Sequence, residues 1–181
     1  MGSISRDQIS GMNFHYMHYS FDYFLDAMVR YGFKHIEVWG ASPHLYVDDL
    51  TPAELGRIGR EIERRELKVV CFTPEQCVYP VNIAAKEKVI RERSVGYFLK
   101  SLEVAKELRA PPLLVTPGWG YEHEPADEAW ARLRESLARI AEKAEELDVT
   151  LALEPLTRTE SNLITDSVTL KRMLGRQDQP A

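Results

Sequence analysis

The feature that most constrains the fold is an alternation of two kinds of segment, which occurs five times along the chain. A short apolar or β-branched run is followed each time by a longer stretch whose apolar residues recur at intervals of three and four. This alternation predicts five βα units. The predicted strands are residues 12–17, 35–39, 67–72, 113–116 and 150–153. Several are apolar throughout, which is typical of a parallel sheet covered on both faces.

Residues with strong preferences for helix ends support this assignment. Ser20 is suited to cap the first helix, and Gly32 to end it in the left-handed conformation. The second helix has a complete start signal, since Thr51 is followed by a proline at the first helical position and by Glu54. We therefore expect a capping box between Thr51 and Glu54.

The two helices after the fourth and fifth strands are also marked by their sequence. Six apolar residues at steps of three and four predict one buried stripe on the fourth-unit helix: Trp130, Leu133, Leu137, Ile140, Ala144 and Leu147. Asp166 and Gly175 are suited to begin and end the last short helix.

Composition limits the class of protein. With 181 residues and 44% hydrophobic residues, we expect a single domain spanning residues 1–181. The net charge of −5 disfavours nucleic-acid and membrane-surface partners. Apolar runs are too short to span a membrane, and the first twenty residues lack a basic segment followed by an apolar one, so we expect no export signal. Cys71 and Cys77 are not spaced as a CxxC pair, so we expect reduced thiols and a cytoplasmic location.

Two architectures fit five βα units. An open doubly wound sheet is complete with five strands, whereas a (β/α)8 barrel needs eight strands and roughly 250 residues. Residues 15–20 contain no glycine-rich turn for a phosphate. Polar or aromatic residues instead follow almost every strand, where barrels keep their active sites. These residues are His15, Glu37, Trp39, Thr73, Glu75, Thr116, Trp119 and Glu154. We therefore predict an incomplete (β/α)8 TIM barrel, with the first five βα units present and the sixth to eighth absent.

Glu154 is the strongest single candidate for chemistry, because an apolar strand leads directly into this carboxylate and then into a proline. It could be a metal ligand or general base, or a carboxylate that already faces solvent, and spacing alone does not decide between them. Glu160, six residues later, could point to the same place or lie in a solvated loop.

Histidine and tryptophan residues give further candidates. On an extended strand, His15 and His18 would face opposite ways, so they could not bind one metal ion together. His44 lies in a loop after the second strand and could reach a substrate. Trp39 and Trp119 lie just beyond strand ends, where each could form an apolar wall against a sugar or simply pack at the rim.

Three blocks of sequence resemble the sugar phosphate isomerase/epimerase family, which has the xylose-isomerase-like barrel. The blocks are Ile-Glu-Val-Trp-Gly at 36–40 with Pro-His at 43–44, Thr-Pro-Glu at 73–75 with Tyr79, Pro80 and Asn82, and Leu-Glu-Pro-Leu-Thr at 153–157 with Glu-Ser-Asn at 160–162. The resemblance covers the whole chain.

The resemblance implies a metal-dependent 3-epimerase or isomerase of a ketose or a fructoselysine-like sugar. A divalent metal (manganese, cobalt or magnesium) would hold the sugar oxygens while glutamates exchange a proton beside the carbonyl. Glu154 matches the glutamate that binds the metal and exchanges the proton. Glu160 and Trp119 match substrate contacts, and the positions of His15, His44 and Glu75 are also implied to bind substrate.

The family also uses an aspartate, a histidine and a second glutamate on the sixth to eighth strands, which we expect this chain to lack. Two interpretations therefore remain. The chain could be an epimerase, or a non-catalytic truncated fragment or subunit that folds with a partner or as a homo-oligomer. A third interpretation, a DNA-repair endonuclease on the same barrel, is disfavoured by the net charge of −5.

Overall fold

The computed structural model of the chain describes residues 4–76 and 80–175, so Cys77 and Tyr79 lie outside the described residues. Strands and helices alternate along it. The strands are β1 (Ser10–Met12), β2 (His35–Gly40), β3 (Lys68–Pro74), β4 (Pro112–Val115) and β5 (Thr150–Leu153). The helices are α1 (Phe21–Arg30), α2 (Pro52–Arg64), α3 (Lys88–Glu107), α4 (Ala126–Leu147) and α5 (Ser167–Met173). Short 3-10 helices cover Arg6–Gln8, Asn13–Tyr16 and Val47–Asp49.

The five described strands form one sheet in the order β1-β2-β3-β4-β5. The pairs β1–β2, β2–β3 and β3–β4 are parallel. A doubly wound sheet reverses its strand order at a switch point, whereas consecutive barrel units add strands in sequence. The order observed here is the second kind, so the predicted architecture of five βα units of a (β/α)8 barrel is confirmed.

The described residues divide into two compact units. The first contains residues 4–75, 100–113 and 147–150, and the second contains residues 76, 80–99, 114–146 and 151–175. The prediction of one domain over residues 1–181 stays a prediction.

In the first unit, β2 alternates strictly between buried and half-buried residues. Ile36, Val38 and Phe72 are completely buried on one side. Gly40 continues that side, and a side chain there would collide with the ring of Phe72. The half-buried side of β2 carries Glu37 and Trp39. The apolar side of β2 therefore packs into the core, and the opposite side carries the residues that could contact a ligand.

The predicted first strand, residues 12–17, is wrong in its position. Strand β1 ends at Met12, and a 3-10 helix follows from Asn13 to Tyr16. The side chain of Asn13 bonds both polar groups of the Trp39 backbone, which replaces the pairing that another strand residue would make. His15 consequently lies on a 3-10 helix and His18 in the turn after it, so the two residues do not alternate along an extended strand as expected.

The predicted helix ends are confirmed. Ser20 accepts a hydrogen bond from the Tyr23 N–H, and Thr51 and Glu54 form the expected capping box. Asp166 caps α5, and Gly32 and Gly175 both have φ near +70° (73° and 68°). The local sequence was sufficient here because a cap depends on only three or four neighbouring residues.

In the second unit, α4 buries the predicted stripe in part. Leu133, Ile140 and Ala144 are buried, whereas Trp130, Leu137 and Leu147 are half-buried. The buried face also includes a polar residue, Ser136, whose hydroxyl donates to the Ile83 carbonyl at 2.7 Å. None of the helices in the described ranges is long and apolar enough to cross a membrane.

Candidate functional site

The carboxyl end of β1, in the first unit, is organised by the side chain of Asn13, which is fully buried. Asn13 Oδ1 accepts a hydrogen bond from the Trp39 N–H at 2.6 Å, and Nδ2 donates to the Trp39 carbonyl at 3.0 Å. Nδ2 also lies 3.0 Å from His44 Nδ1. Since a backbone N–H can only donate, it identifies Oδ1 as the amide atom facing it, and Nδ2 must be the donor to His44.

His44 was predicted to bind substrate, and both of its ring nitrogens are engaged in this structure. Nδ1 accepts from Asn13, while Nε2 lies 2.8 Å from the Tyr19 carbonyl oxygen. A carbonyl only accepts, so Nε2 carries the ring proton. The imidazole therefore connects Asn13 to Tyr19, and contact between His44 and a substrate stays a prediction.

His15 is exposed and takes part in a small aromatic cluster. Its ring meets Phe14 edge-on with centroids 5.5 Å apart, and Phe14 meets Trp39 edge-on at 5.0 Å. Phe14 is 44% exposed. We call Phe14 and Trp39 the aromatic wall.

Glu75 follows β3 directly and is half-buried. Its backbone N–H donates to the Gly40 carbonyl at 3.4 Å, which extends the β2–β3 pairing. Burial raises the pKa of the Glu75 carboxyl, and a smaller opposing effect comes from its hydrogen bond with the Trp39 side chain. The Thr73 hydroxyl donates to Glu37 Oε1 at 2.6 Å. Trp39 thus contacts Asn13, Phe14 and Glu75, and connects the three first-unit residues that were predicted to bind substrate.

In the second unit, Trp119 and Glu160 line one open cavity of about 380 Å³, whose walls are residues 119–123 and 158–162. The structure therefore brings these two predicted substrate-binding residues together. Glu160 Oε2 accepts from the Thr157 N–H at 3.3 Å and from the Thr157 hydroxyl at 2.7 Å. These bonds hold the carboxylate of Glu160 against its own loop.

Both walls of this cavity are fixed by side chains that bond to backbone. Asn82 Oδ1 accepts from the Trp119 N–H at 3.1 Å, and its Nδ2 donates to the Trp119 carbonyl at 3.0 Å. Asn162 makes the same pair of bonds with Gly120, at 2.9 and 2.8 Å. Gly118 has a φ of 68°, and a side chain there would collide with Asn82. The close approach of these loops therefore requires glycine at position 118.

Glu154, the predicted catalytic residue and metal ligand, directly follows β5 and is exposed. Its backbone N–H donates to the Val115 carbonyl at 3.0 Å, so it continues the pairing of β5 with β4. It is not part of the lining of the cavity formed by Trp119 and Glu160. The structure thus places Glu154 at the carboxyl end of a parallel strand, where barrel enzymes carry catalytic groups.

The donor set for a metal is small. Among residues 4–76 and 80–175, no three His, Cys, Asp or Glu side chains lie close enough together to hold a metal ion. Divalent metals in proteins generally need several such ligands. The described residues therefore do not fit a closed site for the expected manganese, cobalt or magnesium ion.

Several organising residues were missed in the sequence. Asn13 was assigned to a strand interior, and Gln76 was not noticed. Gln76 is buried, donates to the Leu114 carbonyl at 3.1 Å and accepts from the Thr116 N–H at 2.8 Å. Both residues could have been recognised as amide side chains next to a strand end. Such a side chain has one donor and one acceptor group, so it can form the hydrogen bonds that a neighbouring strand would otherwise make.

Comparison with known proteins assigns the chain to a class. Residues 25–181 match the family described as the xylose isomerase-like TIM barrel. The chain belongs to this family, and the resemblance predicted from the three sequence blocks is confirmed.

Individual relatives narrow the comparison. The chain is 30% identical over 136 residues to fructoselysine 3-epimerase of Escherichia coli O157:H7, which covers 75% of this chain and 50% of the relative. The chain therefore spans about half the length of the curated relative it matches. It is also similar to the solved apo structure of 3-keto-D-glucoside 4-epimerase from E. coli, with a TM-score of 0.76, 16% identity and coverage of 92% of this chain and 62% of the other. A structure of IOLI protein with a zinc atom gives a TM-score of 0.73 at 14% identity, covering 92% and 57%. At these identities the two structures support the fold alone.

Proposed function

We propose that the chain acts as a carbohydrate epimerase or isomerase that exchanges a proton at the carbon next to the carbonyl of a ketose or a fructoselysine-like sugar. The observation that carries the proposal is the position of Glu154, an exposed carboxylate directly after β5. Membership of the xylose isomerase-like family and the similarity to fructoselysine 3-epimerase support it.

The chemistry assigned to Glu154 is general base catalysis. Its carboxylate takes the proton from the carbon beside the carbonyl, and the electron pair of the C–H bond passes to the carbonyl oxygen to give an enediolate. Return of a proton to the opposite face of that carbon inverts its configuration, while return to the neighbouring carbon moves the carbonyl.

The other proposed contacts belong to each unit separately. In the second unit, Trp119 supplies an apolar surface for the sugar, and Glu160 accepts hydrogen bonds from its hydroxyl groups. This proposal is supported by the cavity that both residues line. In the first unit, His15 and Glu75 are proposed to contact the substrate, and His44 is proposed to contribute to substrate binding through the residues that it bonds. Their shared connection to Trp39 supports this grouping.

A metal role for Glu154 also remains a proposal. The described residues do not supply a closed set of ligands for a divalent ion, so the chemistry proposed for Glu154 is that of its own carboxylate. A single carboxylate gives weak and unselective metal binding.

Hydrogen exchange into a ketose tests the proposal. The chain is incubated with D-fructose in D2O, with and without added Mn²⁺, and deuterium next to the carbonyl is measured by NMR. We expect incorporation by the wild type and its loss in Glu154→Gln, which keeps the size of the side chain but removes the base. Glu145→Gln, on the exposed side of α4, is the matched control and should exchange like the wild type. Absence of exchange under every condition would contradict the proposal and favour the non-catalytic alternative.

The remaining expectations concern partners and location. We propose a small-molecule sugar as ligand, no nucleic-acid or membrane partner, assembly as a homo-oligomer and a cytoplasmic location. The net charge of −5 supports the exclusion of polyanions.

A further inference from the structure

The aromatic wall in the first unit is attached to a chain of hydrogen bonds that passes through His44. The chain runs from the Trp39 backbone to Asn13, from Asn13 to His44 Nδ1, and from His44 Nε2 to the Tyr19 carbonyl. Asn13 and Tyr19, which His44 joins, are the two ends of residues 13–19. This segment carries Phe14 and His15, so the chain of hydrogen bonds closes the segment on itself.

The first link fixes the Trp39 half of the wall. Asn13 bonds both the N–H and the carbonyl of Trp39, at 2.6 and 3.0 Å, and Asn13 has no exposed surface. A shift of the Trp39 backbone would therefore leave buried polar groups unpaired, which is costly. The indole that Trp39 presents to Phe14 and Glu75 keeps its place for this reason.

The hydrogen bonds of His44 hold the segment that carries Phe14, the other residue of the aromatic wall. Phe14 is the residue after Asn13, so the orientation of its backbone follows from the anchored asparagine. Phe14 is 44% exposed, and its ring packs edge-on against Trp39 and His15. The imidazole of His44 secures the far end of the same segment at Tyr19, and it packs at 5.7 Å from the ring of Phe21.

We propose that Asn13 and His44 are positioning residues, which hold the aromatic wall of Phe14 and Trp39 in place for a sugar ligand without contacting that ligand themselves. The identity of the ligand as a sugar rests on the proposed function. The hydrogen bonds that join Trp39, Asn13, His44 and Tyr19 are observed independently of it. For His44 this role replaces direct substrate binding. The wall would stack its apolar faces against the C–H groups of the sugar.

The first test is the tautomer of His44 in the wild-type chain. In long-range ¹H–¹⁵N spectra at mildly alkaline pH, where a free imidazole is neutral, Nδ1 should have the shift of an unprotonated nitrogen and Nε2 that of an N–H. A ring with its proton on Nδ1 could not accept from Asn13, and that result would overturn the proposal. This measurement needs neither ligand nor catalytic activity.

The second test uses two matched substitutions of His44. Gln carries an acceptor and a donor on one amide, so His44→Gln can keep both links, whereas His44→Phe keeps a ring beside Phe21 and loses both links. D-fructose binding to the full chain is measured by NMR titration, together with the midpoint of urea unfolding. We expect His44→Gln to bind within about twofold of the wild type and His44→Phe to bind roughly tenfold more weakly.

Asn13→Asp gives an independent variant if His44→Phe does not fold. The carboxylate still accepts from the Trp39 N–H but cannot donate to Trp39 or His44, so fructose binding should again weaken and the His44 tautomer should change. Equal fructose affinity in the wild type, His44→Phe and Asn13→Asp would refute the positioning role. A failure of the proposed function gives a different result from a failure of the positioning role. In that case the wild type shows no deuterium exchange, while fructose binding still weakens in His44→Phe and Asn13→Asp.

Discussion

Asn82 offers the sharpest test of how the second unit holds its cavity. Only 5% of this residue is exposed, and its side chain makes three hydrogen bonds to the backbone of Trp119 and Ala84. Asn82→Ala removes all three bonds and leaves the N–H groups of Trp119 and Ala84 and the carbonyl of Trp119 without that partner.

The size of the effect follows from burial. A typical intramolecular hydrogen bond contributes about 0.5–1.5 kcal/mol net, and more when its loss leaves a buried group unpaired. Three bonds then predict a loss of about 2–4 kcal/mol in the free energy of unfolding. Asn162→Ala is the matched control, because Asn162 makes two similar bonds to Gly120 but is exposed. Water can replace its bonds, so we expect a loss below about 1 kcal/mol.

Urea unfolding of both variants measures these free energies, and amide hydrogen exchange locates the effect. In Asn82→Ala, exchange should accelerate most at the amides of Trp119 and Ala84. The reasoning fails if Asn82→Ala and Asn162→Ala cost the same, or if the Trp119 amide keeps its wild-type protection.

Two further predictions concern the first unit. Thr51→Ala removes the cap of α2 and should lower the free energy of unfolding by about 1 kcal/mol in urea, while Thr51→Ser keeps the cap and most of the stability. Hydrogen bonds from the Thr51 hydroxyl and backbone N–H lower the pKa of the exposed Glu54 carboxyl, so the stability that this contact adds is present above the ordinary value of 4.5 and lost as pH falls through the lowered value. Thr51→Ala removes the hydroxyl bond and keeps the backbone bond, so this contribution should shrink without vanishing. For Glu75 the sign is opposite. Burial raises its pKa, so stability is greatest below the ordinary value of 4.5 and declines as pH rises through the raised value. Glu75→Gln should remove that decline in urea unfolding measured across this range, and an unchanged pH profile would show that Glu75 is not the cause.

Local sequence was informative wherever the structure depends on near neighbours. The caps at Ser20, Thr51 and Asp166 form as predicted, because each requires only a side chain and a backbone N–H two or three residues later. The buried positions of β2 follow from its alternation, and the βα order of five units follows from the change between strand and helix periodicity.

Predictions failed where a distant residue competes with local preference. Residues 12–17 have the composition of a strand, yet Asn13 bonds the Trp39 backbone 26 positions away and ends β1 early. Asn13 also bonds His44, 31 positions away, and His15 lies on the 3-10 helix that begins at Asn13. Nothing in the periodicity of residues 12–17 could show this.

The sequence alone determined the succession of strands and helices, the helix ends, the family and the choice of Glu154 as the carboxylate that follows β5. Each of these depends on residue order or on contacts within one turn or strand. Only the tertiary structure decided that Asn13, Asn82 and Gln76 hold the loops, and that Trp119 and Glu160 share one cavity. Buried amides must satisfy every donor and acceptor, and which backbone groups do so depends on chain segments that meet only after folding.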